Sequence, residues 1–233
     1  MSKIKLDDRL SAVASLVRNG KRVADIGTDH GYLVAYLVER GICPSGIAAD
    51  LRKGPLENAR QTVIHQGLSD KIELILSDGL QNIPENACDD IVIAGMGGPL
   101  MIRILSAYPE VTASAKELIL QPQSEIAEVR IWLYEQGYEI VEEHMVYEEG
   151  KYYPMFKAVK NPEAKKLSYL EYKFGRLEVL KEKEVLKDFI LRELSNKQNI
   201  LQKLEEEQTE KSKGRAEEMK QLIKELEEMQ HEM

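Results

Sequence analysis

The chain has few of the features that mark extracellular, membrane or metal proteins. Its two cysteines, Cys43 and Cys88, are too few for a disulfide framework in 233 residues. No apolar run approaches the roughly 20 residues of a membrane helix, and the start M-S-K-I-K-L lacks the apolar stretch of a signal peptide. A cytoplasmic protein away from membranes is expected. Aromatics are sparse at 6%, and no His has a second His or Cys at ligand spacing, so no metal is expected. The net charge of -8 lacks the basic excess usual in nucleic-acid partners.

The distribution of charge reads differently from its sum. Met1 to Arg22 holds six Lys or Arg against two Asp, and Lys151 to Arg176 holds seven against two Glu. The second stretch interleaves Tyr152, Tyr153, Phe156, Tyr169, Tyr172 and Phe174 with its cations, a mixture on which unpaired bases stack. The competing reading is that these rings are core.

Apolar periodicity alternates between strand and helix. Leu6, Leu10, Val13 and Val17 predict an opening helix that stops at Asn19-Gly20. Strands follow at 22–26, 46–50, 72–76, 90–94 and 117–120, with helices at 32–40, 55–66 and after the last two strands. Two further strand-like runs, 138–147 and 152–159, are separated only by Glu148-Glu149-Gly150-Lys151 and predict a hairpin. The fold class expected is α/β, a mostly parallel Rossmann-like sheet ending in an antiparallel hairpin, which is the layout of class I S-adenosylmethionine-dependent methyltransferases. That domain is placed at 1–160. Residues 161–233 lose glycine and carry Leu, Ile and Met at three-and-four spacing, broken at Thr209 to Gly214. They predict a helical coiled-coil hairpin domain with a solvated, charge-balanced surface.

Chemistry concentrates at the predicted strand ends. Val23 to Gly31 reads V-A-D-I-G-T-D-H-G, a strand running into a glycine turn and a helix, with Asp50 nineteen residues beyond Gly31. Asp29 stands where a dinucleotide fingerprint has its middle glycine, and a carboxylate there repels pyrophosphate. A cationic ligand without phosphate is favoured, and S-adenosylmethionine has that character. Asp25 and Gly27 would receive its amino acid tail, with His30 and Gly31 in the same turn, and Asp50-Leu51 its ribose. Asp78-Gly79 would meet its adenine. Ala94-Gly95-Met96-Gly97-Gly98 ends the fourth strand, with Ala94 and Gly95 on the cofactor side, Met96 a wall of the transfer site or simple packing, and Gly97 and Gly98 toward substrate. Gln121-Pro122-Gln123 ends the fifth, facing the same edge.

The pieces D-I-G-T-D-H-G-Y-L, I-A-A-D, S-D-G-L, I-A-G-M-G-G and L-Q-P-Q, with the helical appendage, resemble the bacterial TrmK family over essentially the whole chain. The resemblance implies methyl transfer from S-adenosylmethionine to N1 of adenosine 22 in tRNA. It also implies cofactor binding by Asp25, Gly27, Asp29, Gly31, Asp50, Asp78 and Gly79. The fourth strand lacks the Asn or Asp followed by Pro-Pro and an aromatic that exocyclic-amine enzymes use, which argues against amino-group methylation. Adenine N1 has an in-plane lone pair and needs no strong base, so catalysis is expected to be mostly positioning.

Asp29 is the catalytic candidate, stabilising charge beside the donor or accepting from the adenine amino group. The alternative is that it caps the following helix or holds the turn. Arg9, Arg18, Lys21, Arg22, Arg52, Lys151, Lys157, Lys165 and Lys166 are candidates for phosphates, Arg9 first among them at the rim of the pocket. The helical arm is expected to grip tRNA at a distance or to form a dimer contact, with a monomer favoured. Rival readings are a methyltransferase of another RNA site, a small molecule or a protein, a nicotinamide dehydrogenase, and a non-catalytic RNA-binding scaffold.

Overall fold

A computed structural model describes residues 3–207 and 209–231. The outermost residues of both expected domains, 1–2 and 232–233, lie outside the described residues. The opening helix α1 (Asp8–Leu16) starts where the Asp7 carboxylate accepts the Leu10 N–H at 2.6 Å, satisfying a donor that the first helical turn leaves free. Five parallel strands follow: β1 (Val23–Ile26), β2 (Gly46–Asp50), β3 (Ile72–Leu76), β4 (Asp90–Met96) and β5 (Glu117–Pro122). Their connections carry α2 (Tyr32–Glu39), α3 (Lys53–His65), α4 (Gly98–Ala107) and α5 (Pro109–Ser114). After α6 (Ile126–Glu135), the chain closes the sheet with β6 (Tyr138–Glu148) and β7 (Lys151–Lys160).

The seven strands lie in the order β3-β2-β1-β4-β5-β7-β6, with β7 antiparallel to both neighbours. This is the expected α/β layout. The hairpin turn is shorter than the four residues separating the two sequence patterns, because Glu149 (φ 48°) and Gly150 (φ 83°) both take the left-handed conformation of a two-residue turn whose twist matches the strands. Apolar side chains cover both faces of the sheet. Ile91, Ile93, Leu118 and Leu120 pack toward α4 and α6, while Val92 and Ile119 join Leu16, Leu33 and Leu37 of α1 and α2. Continuous apolar runs in β1, β4 and β5 are therefore the mark of burial on two faces.

Beyond the hairpin come α7 (Tyr169–Phe174), α8 (Lys183–Glu207) and α9 (Glu210–His231). Leu186, Ile190 and Leu194 of α8 pack with Ile223, Leu226 and Met229 of α9, and Met145 of β6 and Phe174 of α7 complete that cluster. Lys220 in the first half of α9 pairs at 3.1 Å with Glu205 near the end of α8, as in two helices running in opposite directions. The expected break at Thr209 to Gly214 is confined to the helix junction. Gly214 lies within α9 with open space at its missing Cβ, and Thr209 caps that helix, its hydroxyl accepting the Ser212 N–H at 3.0 Å while the Ser212 hydroxyl donates back to the Thr209 carbonyl.

Candidate functional site

The carboxyl ends of β1, β2 and β4 border a cleft of about 450 Å³, lined by Arg9, Asp25, Gly27, Thr28, Asp29, His30, Asp50, Arg52, Ala94, Gly95, Met96 and Gln123, among others. Open α/β sheets place ligands at this edge because adjacent connections leave in opposite directions there. Gly27 takes φ 80°, a conformation that side chains rarely adopt, and the Met96 methyl occupies the place of its missing Cβ. Met96 is thus packing for the glycine turn and a wall of the cleft at once.

Two carboxylates form the floor. Asp25 is buried and accepts the Thr28 hydroxyl at 2.6 Å; burial pushes its carboxyl up to about 6, opposed by that hydrogen bond and aided by the neighbouring Asp50 charge. Asp50 is also buried and accepts the Arg52 N–H at 2.8 Å. Asp29 stands at the mouth in a left-handed conformation (φ 33°), 3.6 Å from His30, whose ring stacks on Tyr32. It does not cap α2: that position belongs to Gly31 and has no side-chain cap.

Gln121 organises the rim from behind. It is fully buried, and its Oε1 accepts both the Gly95 N–H at 3.0 Å and Arg9 Nη1 at 2.9 Å. One amide therefore holds the bulged end of β4 and the guanidinium from α1. Arg9 also lies over the Tyr153 ring, 5.9 Å from its centroid. Thr28, Arg52 and Gln123 join the cleft although they are absent from the candidate cofactor set. Their signal was adjacency to strand ends, but which of several neighbouring side chains turns inward depends on the backbone path.

Other candidates fall outside the cleft lining. Gly31 presses against Ala59 of α3, Gly79 against Ile104 of α4, and Gly97 and Gly98 against Ser124 and Glu125. Asp78 faces Arg103 at 3.6 Å, Leu51 is exposed, and Pro122 is buried opposite Met96 in the strand pairing. Arg18, just beyond α1, lies at the amino edge of the sheet away from the cleft, 3.4 Å from Glu117 at the start of β5, and keeps exposed surface. Lys151 and Lys165 are exposed, Lys151 at the hairpin tip. Lys157 is tied to Glu142 at 2.8 Å. Of the interleaved aromatics, Phe156 and Phe174 are core, whereas Tyr152, Tyr153 and Tyr169 keep exposed surface.

These residues suit a cofactor with a cationic sulfonium and no phosphate. Carboxylates gather where a dinucleotide would bring its pyrophosphate, the strand-end glycine turn leaves space, and Asp50 ends β2 where ribose hydroxyls would be accepted. Among the described residues, no group of three or more His, Cys, Asp or Glu would hold a metal ion, and no helix is long and apolar enough to cross a membrane.

A family model described as a methyltransferase domain matches residues 6–156. The tRNA (adenine(22)-N(1))-methyltransferase of Bacillus subtilis strain 168 is 38% identical over 158 residues, which are 68% of this chain and 66% of that protein, just under two thirds of its length. The crystal structure of the B. subtilis m1A22 tRNA methyltransferase TrmK superposes with a TM-score of 0.82 at 32% identity, over 97% of this chain and 98% of that one. Sp1610 of Streptococcus pneumoniae, a candidate tRNA (m1A22) methyltransferase in complex with S-adenosyl-L-methionine, gives 0.80 at 36% identity, over 95% and 99%.

Proposed function

Because the chain belongs to the family of bacterial tRNA (adenine(22)-N1)-methyltransferases, we propose that it transfers a methyl group from S-adenosylmethionine to N1 of adenosine 22 in tRNA. The observation that carries this reading is the cleft itself, an acidic pocket at the sheet's carboxyl edge bordered by a rim cation and exposed rings. The bound cofactor supplies an electrophilic methyl on a positively charged sulfur.

The protein's part is positional. Asp25 and Asp50 would hold the amino acid and ribose ends, and Gly27 and Gly95 would let the ligand lie against backbone. Asp29, at the mouth, would stabilise charge near the reacting atoms or accept from the adenine amino group. N1 lies on the Watson-Crick edge, so the adenosine has to leave its stack to reach the cleft. Arg9, held by Gln121 and Tyr153, would meet a phosphate or base at the rim. The domain division at residue 160, action as a monomer and residence in the cytoplasm complete the proposal. Sedimentation of the free protein tests the monomer.

Labelled S-adenosylmethionine and unmodified tRNA transcripts, followed by nucleoside digestion and site mapping, test the reaction. Formation of 1-methyladenosine at position 22 is expected. Cofactor binding without incorporation into any tRNA would overturn the assignment and redirect it to a protein or small-molecule acceptor.

A further inference from the structure

Beside the cleft lies a second hollow of about 550 Å³, which shares Gln123 with it. One wall is the hairpin tip with Lys151, Tyr152 and Tyr153; the other is α8 with Phe189, Arg192 and Asn196. Tyr153 links the two spaces, because Arg9 of the cleft lies over its ring. Tyr152 packs 4.9 Å from Phe189 and 4.7 Å from Tyr147, centroid to centroid, and both Tyr152 and Phe189 keep part of their rings exposed.

The charges of the hollow are positive and available. Among the described residues, neither Lys151 nor Arg192 pairs with a carboxylate, and Arg192 makes only a 3.5 Å contact to the Gly150 carbonyl. The one acid in the lining, Glu193, is engaged by Lys197 at 3.5 Å. Ring surfaces, unpaired cations and the amides of Gln123 and Asn196 are the chemistry that takes an unpaired nucleotide: rings for the base, cations for the phosphate, amides for base edges.

Resting on the tRNA methyltransferase reading, we propose that this hollow receives the nucleotide next to the methylated adenosine, its base against Tyr152 and Phe189 and its phosphate between Lys151 and Arg192. An adenosine drawn into the cleft leaves its neighbour on a short backbone tether, and the adjoining space is this one. The helical arm then does more than grip RNA at a distance, since α8 forms a wall of the substrate site.

The test uses the full chain and tRNA transcripts that are intact or abasic at one or the other position flanking the target. KM and kcat are measured for the unaltered protein, Phe189→Leu and Arg192→Ala, with cofactor binding followed separately. For the unaltered protein, loss of one flanking base is expected to raise KM about tenfold, the size of one base stacked on a ring. Phe189→Leu, which keeps apolar volume but removes the flat ring, raises KM similarly on intact tRNA and makes that abasic site nearly silent. Exposed Arg192→Ala weakens every transcript alike and lowers the salt slope by about one. All of this occurs at unchanged cofactor affinity. Independent, multiplying effects of Phe189→Leu and base removal, or indifference to both flanking bases, would overturn the inference while active transfer keeps the functional reading. Failure of the unaltered protein to methylate intact tRNA would remove both.

Discussion

Asp25 and Asp90 show one side chain put to two uses by its position in the sheet. Both carboxyls are buried and pushed from 3.8 up to about 6. Asp25 is at the cleft with Asp50 nearby, while Asp90 at the start of β4 faces Glu117, with partial relief from Arg18. Between 3.8 and about 6 the folded chain binds more protons than the unfolded one, so the stability each carboxyl contributes is full below 3.8 and is lost as pH rises through 6. Asp90 is remote from the cleft, and an amide there would donate to Glu117. Asp90→Asn is therefore expected to add about 1–3 kcal/mol at neutral pH and to flatten the pH profile of urea unfolding in that window, leaving cofactor affinity unchanged. No gain in the urea midpoint would refute it. Asp25 makes the opposite prediction for binding. Calorimetry should find affinity for the cationic cofactor falling as pH drops through about 6, and Asp25→Asn should abolish that dependence. Asp29→Asn should slow methyl transfer on the order of 10- to 100-fold with the fold intact; an unchanged rate and cofactor affinity would leave Asp29 a purely structural role.

At the scale of elements, the decisive device is the Arg130–Glu143 pair, which joins α6 to β6 at 2.8 Å with both side chains only 1% exposed. Arg130 Nη1 donates to the carbonyls of Tyr172 and Lys173 at the end of α7, and its guanidinium lies over Phe156. Glu143 receives the Arg176 N–H through its carboxylate, and its backbone bonds Val179 and Lys181. Gly175 (φ 95°) passes so close that a Cβ would strike the Glu143 carboxylate. The segment leaving the sheet is thereby laid along β6 before α8 begins. Removing one partner of a buried pair strands the other charge, so Arg130→Ala should cost about 3–5 kcal/mol in denaturant unfolding. Arg130→Met combined with Glu143→Leu should cost less than the sum of the two single changes. Strict additivity would mean that the two residues act independently.

For the whole molecule, the proposed binding of RNA by an acidic chain of net charge -8 would run through local basic surface rather than its overall field. Deleting residues 183–233 takes away α8, α9 and one wall of the second hollow. Filter binding should then lose tRNA while calorimetry still detects the cofactor. A fall in molecular mass from dimer to monomer with RNA binding retained would instead make the arm a subunit contact.

The alternating pattern of 1–160 was legible because burial on two sheet faces demands continuous apolar strands, and the connecting helices show their own period. Strand-end chemistry was legible for the same reason: residues such as Asp25, Gly27, Asp50 and Met96 lie at or just past the ends of strands and arrive at one edge whatever the finer geometry. The sequence alone thus determined the fold class, the edge that holds the cleft and the acidic character of its floor. Tertiary structure decided what depends on distant segments meeting. Gln121 joins Arg9 across 112 residues, Arg130 meets the end of α7, and α8 comes to rest beside the hairpin tip. It also set Arg18 beside Glu117 at the sheet's amino edge, and it brought neighbouring segments close against Gly31, Gly79, Gly97 and Gly98. Periodicity reports which face of an element is buried. It carries no information on which partner buries that face, and the partner is what closes the site.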